Sequence, residues 1–103
     1  MYKLEYLPIA KQDMTDIARY ISQTLINPAA AERLASEMIE AADRLIDFPY
    51  ANPAYYPIRS LKHEYRRLLV QNYIMLYYVD EAQKLITIAR VIYARRDYGR
   101  LLE

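Results

Sequence analysis

The chain has 103 residues, of which 54% are hydrophobic and 26% are charged, and its formal net charge is +1. This length suits a single domain over residues 1–103, and the apolar content excludes an intrinsically disordered chain. Cysteine is absent, which excludes disulfides and thiolate metal sites. No apolar run approaches the roughly 20 residues of a membrane span, and the charged N-terminus does not fit a secretory signal. We therefore expect a cytoplasmic protein without membrane association.

Charge is divided unevenly along the chain. Residues 1–58 contain five Lys/Arg and eight Asp/Glu, a net charge of −3, whereas residues 59–103 contain nine and five, a net charge of +4. A basic C-terminal half can face a polyanion even though the whole chain is almost neutral.

The first predicted elements are a strand and a helix. Tyr2–Leu7 alternates, which places Leu4 and Tyr6 on one side of a strand, and Pro8 then suits the first turn of a helix. The apolar residues that follow have helical spacing. They are Met14, Ile17, Ala18, Ile21 and Leu25.

A second helix is predicted directly after the first. Asn27 is a favourable N-cap and Pro28 a favourable first residue, and Pro49 ends the helical pattern. Its apolar stripe consists of Leu34, Met38, Ala41, Leu45 and Phe48. The two stripes predict an antiparallel helical hairpin.

The apolar period changes from 3.6 to 2 in the C-terminal half, which predicts three strands, Tyr65–Val70, Tyr73–Val79 and Leu85–Ile92. The turns Gln71-Asn72 and Asp80–Gln83 are short enough for hairpins. The predicted fold is therefore α+β with the order β-α-α-β-β-β, in which the helical hairpin packs on one face of an antiparallel sheet.

The turns also predict registers and faces. The first turn pairs Val70 with Tyr73, Leu68 with Met75 and Arg66 with Tyr77. The second pairs Val79 with Lys84, Tyr77 with Ile86 and Tyr73 with Arg90. Alternation then assigns one nearly apolar face to the helices, namely Leu69, Ile74, Leu76, Leu85, Ala89 and Val91. The other face is expected to be open, and it mixes arginine and tyrosine with apolar residues, namely Arg66, Tyr73, Tyr77, Arg90, Leu68, Met75, Ile86 and Ile88.

Four segments of the chain are LPIAKQDMTDIARYI, RLIDFPYANP, YRRLLVQNYIMLYYVD and ITIARVIYARRDY. In their order and position they resemble the RelE/ParE superfamily of toxins from type II toxin–antitoxin systems. The most specific part is Arg90, then Tyr93, then Arg95-Arg96-Asp97. The resemblance implies a RelE/ParE-like fold over nearly the whole chain, a growth-inhibiting toxin of the plasmid-stabilisation type, and a cognate antitoxin as partner. It implies no cofactor, and no metal-ligand spacing is present in the sequence.

The superfamily contains two activities. RelE-like members cleave mRNA in the ribosomal A site, and ParE-like members poison DNA gyrase. A RelE-type second hairpin strand usually has arginine directly after its first tyrosine, where this chain has Ile74 after Tyr73. We therefore expect a ParE-like gyrase inhibitor, which is not an enzyme. A RelE-like ribosome-dependent endoribonuclease and an inactive interaction module are the alternatives.

Each activity selects its own site residues. In a RelE-like toxin, Arg95 and Arg96 would stabilise an oxyanion-rich transition state, and Tyr93 and Tyr98 would donate a proton or orient a phosphate. Residues expected to bind a target or a nucleic acid are Arg66, Arg90, Arg100, Tyr73 and Tyr77. Arg90 has an equal alternative as a structural ion-paired residue.

The antitoxin is expected to cover Leu68, Met75 and Ile88 on the open face, bringing acidic side chains to the neighbouring arginines. DNA gyrase, or the ribosome with mRNA, is the second expected partner. The sequence is compatible both with a homodimer and with a toxin–antitoxin hetero-oligomer.

Overall fold

The structure is a computed structural model, and it describes residues 1–55 and 62–95. Within these residues the elements are β1 (Lys3–Tyr6), α1 (Pro8–Arg19), α2 (Pro28–Arg44), β2 (Arg66–Val70), β3 (Tyr73–Asp80) and β4 (Leu85–Tyr93). The predicted α+β class and the order β-α-α-β-β-β are confirmed.

Both helices begin at the predicted prolines. Pro8 is the first residue of α1, and the side chain of Asn27 caps α2 by accepting a 3.1 Å hydrogen bond from the backbone N–H of Ala30. Both helices end earlier than their apolar stripes suggest. A π-helical segment, Tyr20–Thr24, follows α1, and α2 stops at Arg44. The last stripe residues, Leu25 and Phe48, are therefore exposed and do not join the core.

The sheet has the strand order β1-β4-β3-β2. Adjacent strands among β2, β3 and β4 pair antiparallel, as predicted, whereas β1 runs parallel to β4. The sheet is therefore mixed. Lys3 pairs with Leu85 and Tyr6 with Ile88, so β1 covers only the first half of β4.

The β2–β3 register agrees with the prediction, because the Gln71-Asn72 turn fixes it. Val70 pairs with Tyr73, Leu68 with Met75 and Arg66 with Tyr77. Gln71 adopts a left-handed φ of 54°, which a two-residue hairpin loop requires.

The predicted β3–β4 register is wrong. Val79 pairs with Ile86, Tyr77 with Ile88 and Tyr73 with Tyr93. The first cause is the turn, which leaves Asp80 paired with Leu85 and places Lys84 in the loop with a φ of 53°. The second cause is a β-bulge, because Leu76 pairs with Arg90 but Tyr77 pairs with Ile88. Ala89 is thus an extra residue, and an extra residue reverses the side to which later side chains of the strand point.

The predicted assignment of the two sheet faces is also wrong. The helices cover Met75, Tyr77, Ile86 and Ile88, which are all fully buried in the core that contains Leu34 and Met38. The opposite face consists of Tyr65, Ile74, Leu76, Ala89 and Ile92. Leu69, predicted to face the helices, is 65% exposed. Val91 does face the helices. It does so because the bulge reverses the side to which the residues after Ala89 point. Alternation separates two faces without identifying which one the helices take, and here both faces are apolar.

The loop after α2 is fixed to the helix-covered face by polar side chains. The hydroxyl of Tyr77 donates to the backbone oxygen of Pro49 at 2.8 Å and accepts from Asn52 Nδ2 at 3.2 Å. Arg66 donates to the backbone oxygen of Asn52 at 2.7 Å, and its guanidinium lies 4.9 Å from the ring centroid of Tyr50. These contacts hold the loop to the sheet, although its large apolar side chains Phe48 and Tyr50 stay exposed.

The same loop is tied to the β3–β4 turn through Glu81. This carboxylate accepts hydrogen bonds from Tyr2, Tyr50 and Lys84. The bonds from Lys84 first, and then those from the two tyrosines, lower the pKa of Glu81 to about 2. The pKa of Tyr50 is raised, chiefly because its hydroxyl donates to Glu81.

The Glu81 cluster predicts a specific acid response. The ordinary pKa of a glutamate is 4.5 and the folded-state value is about 2, so the stabilisation by Glu81 is complete above pH 4.5 and is lost as the pH falls towards 2. An NMR titration of the Glu81 carboxyl should give a midpoint near 2, and Tyr50→Phe should raise that midpoint. Tyr20→Phe, which leaves these contacts intact, serves as the control. A wild-type midpoint near the ordinary value would contradict the prediction.

Candidate functional surface

The end of β4 carries an exposed aromatic surface that we call the tyrosine patch, formed by Tyr20, Tyr73 and Tyr93. The rings of Tyr73 and Tyr93 meet edge to face, with centroids 5.8 Å apart and an interplanar angle of 70°. Tyr20, just after α1, is 51% exposed, and Tyr93 is 45% exposed. Burial first, and then the nearby phenols of Tyr20 and Tyr93, raise the pKa of Tyr73. The three hydroxyl-bearing rings therefore lie together at the junction of the helical hairpin and the sheet.

Arg95 follows Tyr93 of the tyrosine patch by two residues in the chain. It is exposed and makes no ion pair with another residue of the described part of the chain. The turn that leads to it is fixed by a 2.9 Å hydrogen bond from the backbone N–H of Ala94 to the backbone oxygen of Asn72. The other predicted residues of the tail, Arg96, Tyr98 and Arg100, lie outside the described residues.

Arg90 is not part of an open surface. Its guanidinium donates two hydrogen bonds to Asp13 of α1, from Nε at 2.8 Å and from a terminal nitrogen at 3.0 Å. Both side chains are 14% exposed. The bonds to Asp13 raise the pKa of Arg90, while burial acts in the opposite direction. Two interpretations of Arg90 had equal weight from the sequence, and the structure shows the ion-paired one. The predicted surface shared by Arg90 and Arg66 is therefore wrong.

Arg66 and Tyr77 are likewise engaged inside the molecule. Arg66 forms a 2.9 Å ion pair with Glu64 in addition to its bond to Asn52, and the Tyr77 side chain is fully buried. Their expected placement on an open, target-binding face is therefore wrong, because that face is the one covered by the helices. Of the five residues expected to bind a target, Tyr73 is the one that lies beside the exposed rings of Tyr20 and Tyr93 in the described part of the chain.

The expected placement of Leu68, Met75 and Ile88 on an open, antitoxin-binding face is also wrong. Met75 and Ile88 are fully buried beneath the helices, and Leu68 packs against the same core. None of the three lies on the face opposite the helices. All three contribute to the packing of the core.

The tyrosine patch suits a binding surface better than general-base catalysis. Within residues 1–55 and 62–95, no group of three or more His, Cys, Asp or Glu side chains is arranged to hold a metal ion. A phenol whose pKa is raised, as at Tyr73, is a poor general base. Exposed tyrosines beside an arginine are, in contrast, the composition typical of energetically important residues in protein interfaces.

Sequence reasoning alone misses two residues of this region. Tyr20 lies off the apolar stripe of its helix, and an exposed aromatic there was the available signal. Asp13 carries no signal in the sequence, because its role depends on Arg90, which is 77 residues away in the chain. Separately, none of the helices in the described part of the chain has the length and apolarity needed to cross a bilayer.

Comparisons with known proteins agree with this architecture. The family described as the ParE toxin of the type II toxin–antitoxin system parDE matches residues 4–98, whereas no match was found among curated proteins. The fold is similar to a chain of the chromosomal ParDE system from P. aeruginosa, with a TM-score of 0.74 and 18% identity over 92% of this chain and 98% of that one. It is also similar to a chain of the RelBE2 complex from Mycobacterium tuberculosis (TM-score 0.64, 18% identity, 89% and 96% covered). A third similar chain belongs to the E. coli DinJ–YafQ complex (TM-score 0.59, 17% identity, 100% of both chains covered).

Proposed function

Because this chain belongs to the ParE toxin family of type II toxin–antitoxin systems, we propose that it inhibits DNA gyrase and is neutralised by a cognate antitoxin. Inhibition would be by binding, without catalysis by the toxin. Gyrase acts on cytoplasmic DNA, so the proposal places the toxin in the cytoplasm and makes growth arrest its consequence.

The observation that carries this proposal is the internal pairing of Arg66 and Arg90. A metal-free ribonuclease has to offer positive charge to a developing phosphorane. Arg90 directs its guanidinium to Asp13, and Arg66 directs its own to Glu64 and the backbone of Asn52. Ile74, at the position where RelE-like toxins have arginine, is buried on the face opposite the helices. These two strand arginines and this position therefore offer no free charge to an RNA phosphate.

The tyrosine patch with Arg95 is the proposed contact surface for gyrase. Its rings combine apolar area with hydroxyl groups, and Arg95 adds a permanently charged group that can bind a carboxylate in two places. Proteins concentrate binding energy in such aromatic and arginine side chains.

An antitoxin partner is supported by the solved structures of similar fold. Those structures are described as a ParDE system, a RelBE2 toxin–antitoxin complex and a DinJ–YafQ complex. The antitoxin should bind this toxin outside the fully buried residues Met75 and Ile88.

The test is a supercoiling assay with purified gyrase, relaxed plasmid and the toxin. Inhibition together with trapped cleavage complexes supports the proposal. Full supercoiling activity, combined with ribosome-dependent cleavage of mRNA in a translation extract, would replace it with the endoribonuclease reading. Normal growth after induction without antitoxin, with neither activity, would leave an inactive interaction module.

Substitutions in the proposed surface should weaken inhibition without unfolding the toxin. Tyr93→Ala and Arg95→Ala are each expected to raise the toxin concentration needed for half inhibition by about 10-fold or more, because exposed aromatic and arginine side chains carry much of an interface's energy. Matched controls on α2 are Ile39→Ala and Arg33→Ala, since both residues are exposed and neither belongs to the patch. Equal inhibition by patch and control variants would place the gyrase contact elsewhere.

A further inference from the structure

We propose that Asp13 and Arg90 are a positioning pair, which holds the β-bulge of β4 and thereby places Tyr93 in the tyrosine patch in the orientation needed for target binding. The target-binding part of this inference rests on the proposed function. The positioning part rests on geometry alone.

One carboxylate serves both the side chain and the backbone of the bulge. Asp13 accepts from Arg90 Nε at 2.8 Å, from a terminal nitrogen of Arg90 at 3.0 Å and from the backbone N–H of Val91 at 2.9 Å. Charged acceptors form hydrogen bonds about twice as strong as neutral ones. The carboxylate therefore fixes two consecutive residues directly after the inserted Ala89.

The position of β1 explains why β4 needs this support. Tyr6, the last residue of β1, pairs with Ile88, and the N–H of Leu7 donates to the backbone oxygen of Ile88 at 2.9 Å. Beyond Ile88 the edge of β4 has no neighbouring strand within the described residues. A half-buried N–H at such an edge needs another acceptor, and Asp13 of α1 supplies it for Val91.

The bulge decides on which side of the sheet the end of β4 presents its side chains. With Ala89 inserted, Val91 lies opposite Met75 and Tyr93 lies opposite Tyr73. Without the insertion, continuous alternation from Ile88 would send Val91 and Tyr93 to the other face. Tyr93 would then leave Tyr73, and the patch would lose one of its exposed rings.

The experiment uses the full chain and two variants, Asp13→Asn and Arg90→Lys. Asparagine keeps the size of the side chain but removes its charge, and lysine keeps the charge but replaces the planar fork with a single ammonium group. In both we expect weaker NMR cross-peaks between the rings of Tyr73 and Tyr93. For Asp13→Asn we expect exchange of the Val91 amide hydrogen to be about 10-fold faster. The concentration for half inhibition of gyrase should rise by about 10-fold in both.

Leu45→Ala is the control for a general loss of stability, because Leu45 is buried at the end of α2 and the substitution should destabilise the toxin while keeping the Tyr73–Tyr93 contact. All variants are compared at a temperature at which circular dichroism shows them folded. Arg90→Lys keeps the test decisive if Asp13→Asn does not fold.

The ring contact and the gyrase assay separate the two proposals. An unchanged Tyr73–Tyr93 contact in the folded variants overturns the positioning pair. A lost contact with unchanged inhibition overturns the target-binding part of the inference. If the wild-type toxin does not inhibit gyrase, the proposed function fails. The NMR measurements then still decide whether Asp13 and Arg90 position Tyr93.

Discussion

Replacing Ile88 with alanine is expected to lower the free energy of unfolding by about 3 kcal/mol, since truncating a buried isoleucine removes its burial energy and leaves a cavity. Ile88 is fully buried beneath the helices, in the same core as Met75 and Tyr77. It also pairs with Tyr6 of β1 and with Tyr77 of β3. Little rearrangement can fill the space at a position held by strands on both sides. Urea denaturation followed by circular dichroism measures the change.

Leu69→Ala is the matched control for Ile88→Ala. Alternation alone assigns Leu69 to the helix-covered core and Ile88 to the open face, whereas Leu69 is 65% exposed in the structure. We expect Leu69→Ala to change the free energy of unfolding by no more than about 0.5 kcal/mol, as is usual for surface substitutions. If Leu69→Ala were the costly substitution and Ile88→Ala the neutral one, the two sheet faces of the structure would be exchanged.

Asp13→Ala is the second substitution with a large expected effect. It removes the carboxylate that pairs with the mostly buried guanidinium of Arg90. Breaking a buried pair in this way costs about 3 kcal/mol or more. The backbone N–H of Val91 loses its acceptor in the same step. The free energy of unfolding from urea denaturation near neutral pH should show this loss.

Asp16→Ala on the same helix is the control for Asp13→Ala. Asp16 and Arg19 form a 3.7 Å pair in which both side chains are more than half exposed, and such pairs contribute about 1 kcal/mol or less. The double variant Asp13→Leu with Arg90→Met should be more stable than Asp13→Ala, because it leaves no unpaired buried charge. Equal effects of Asp13→Ala and Asp16→Ala would show that the Arg90 pair is a surface interaction.

Much of the local structure is readable in the sequence because it depends on neighbouring residues. Pro8 and the Asn27-Pro28 pair set the starts of the helices, and the Gln71-Asn72 turn sets the β2–β3 register. The helix ends are less well defined, since Leu25 and Phe48 continue the apolar spacing but find no core to join.

The candidate site was only partly predictable, because part of it depends on contacts between residues far apart in the chain. Tyr73 and Tyr93 carry a signal as tyrosines near the ends of neighbouring strands, and the structure brings their rings together. Arg66 and Arg90 carry an equally strong signal as cations among apolar residues, yet both are internal. The position of a charged residue in a strand pattern does not show whether a distant residue such as Asp13 forms an ion pair with it.

The sequence by itself determined the α+β class, the order of the elements, the first hairpin register and the resemblance to a toxin family, because local spacing and turn chemistry suffice for each. The tertiary structure decided which sheet face the helices cover, since both faces are apolar enough to be buried. It also decided the register of β4, because the extra residue Ala89 is followed by Arg90 and Val91, which bond to Asp13 across most of the length of the chain. No local sequence pattern predicts this bulge, and the bulge places Tyr93 beside Tyr73.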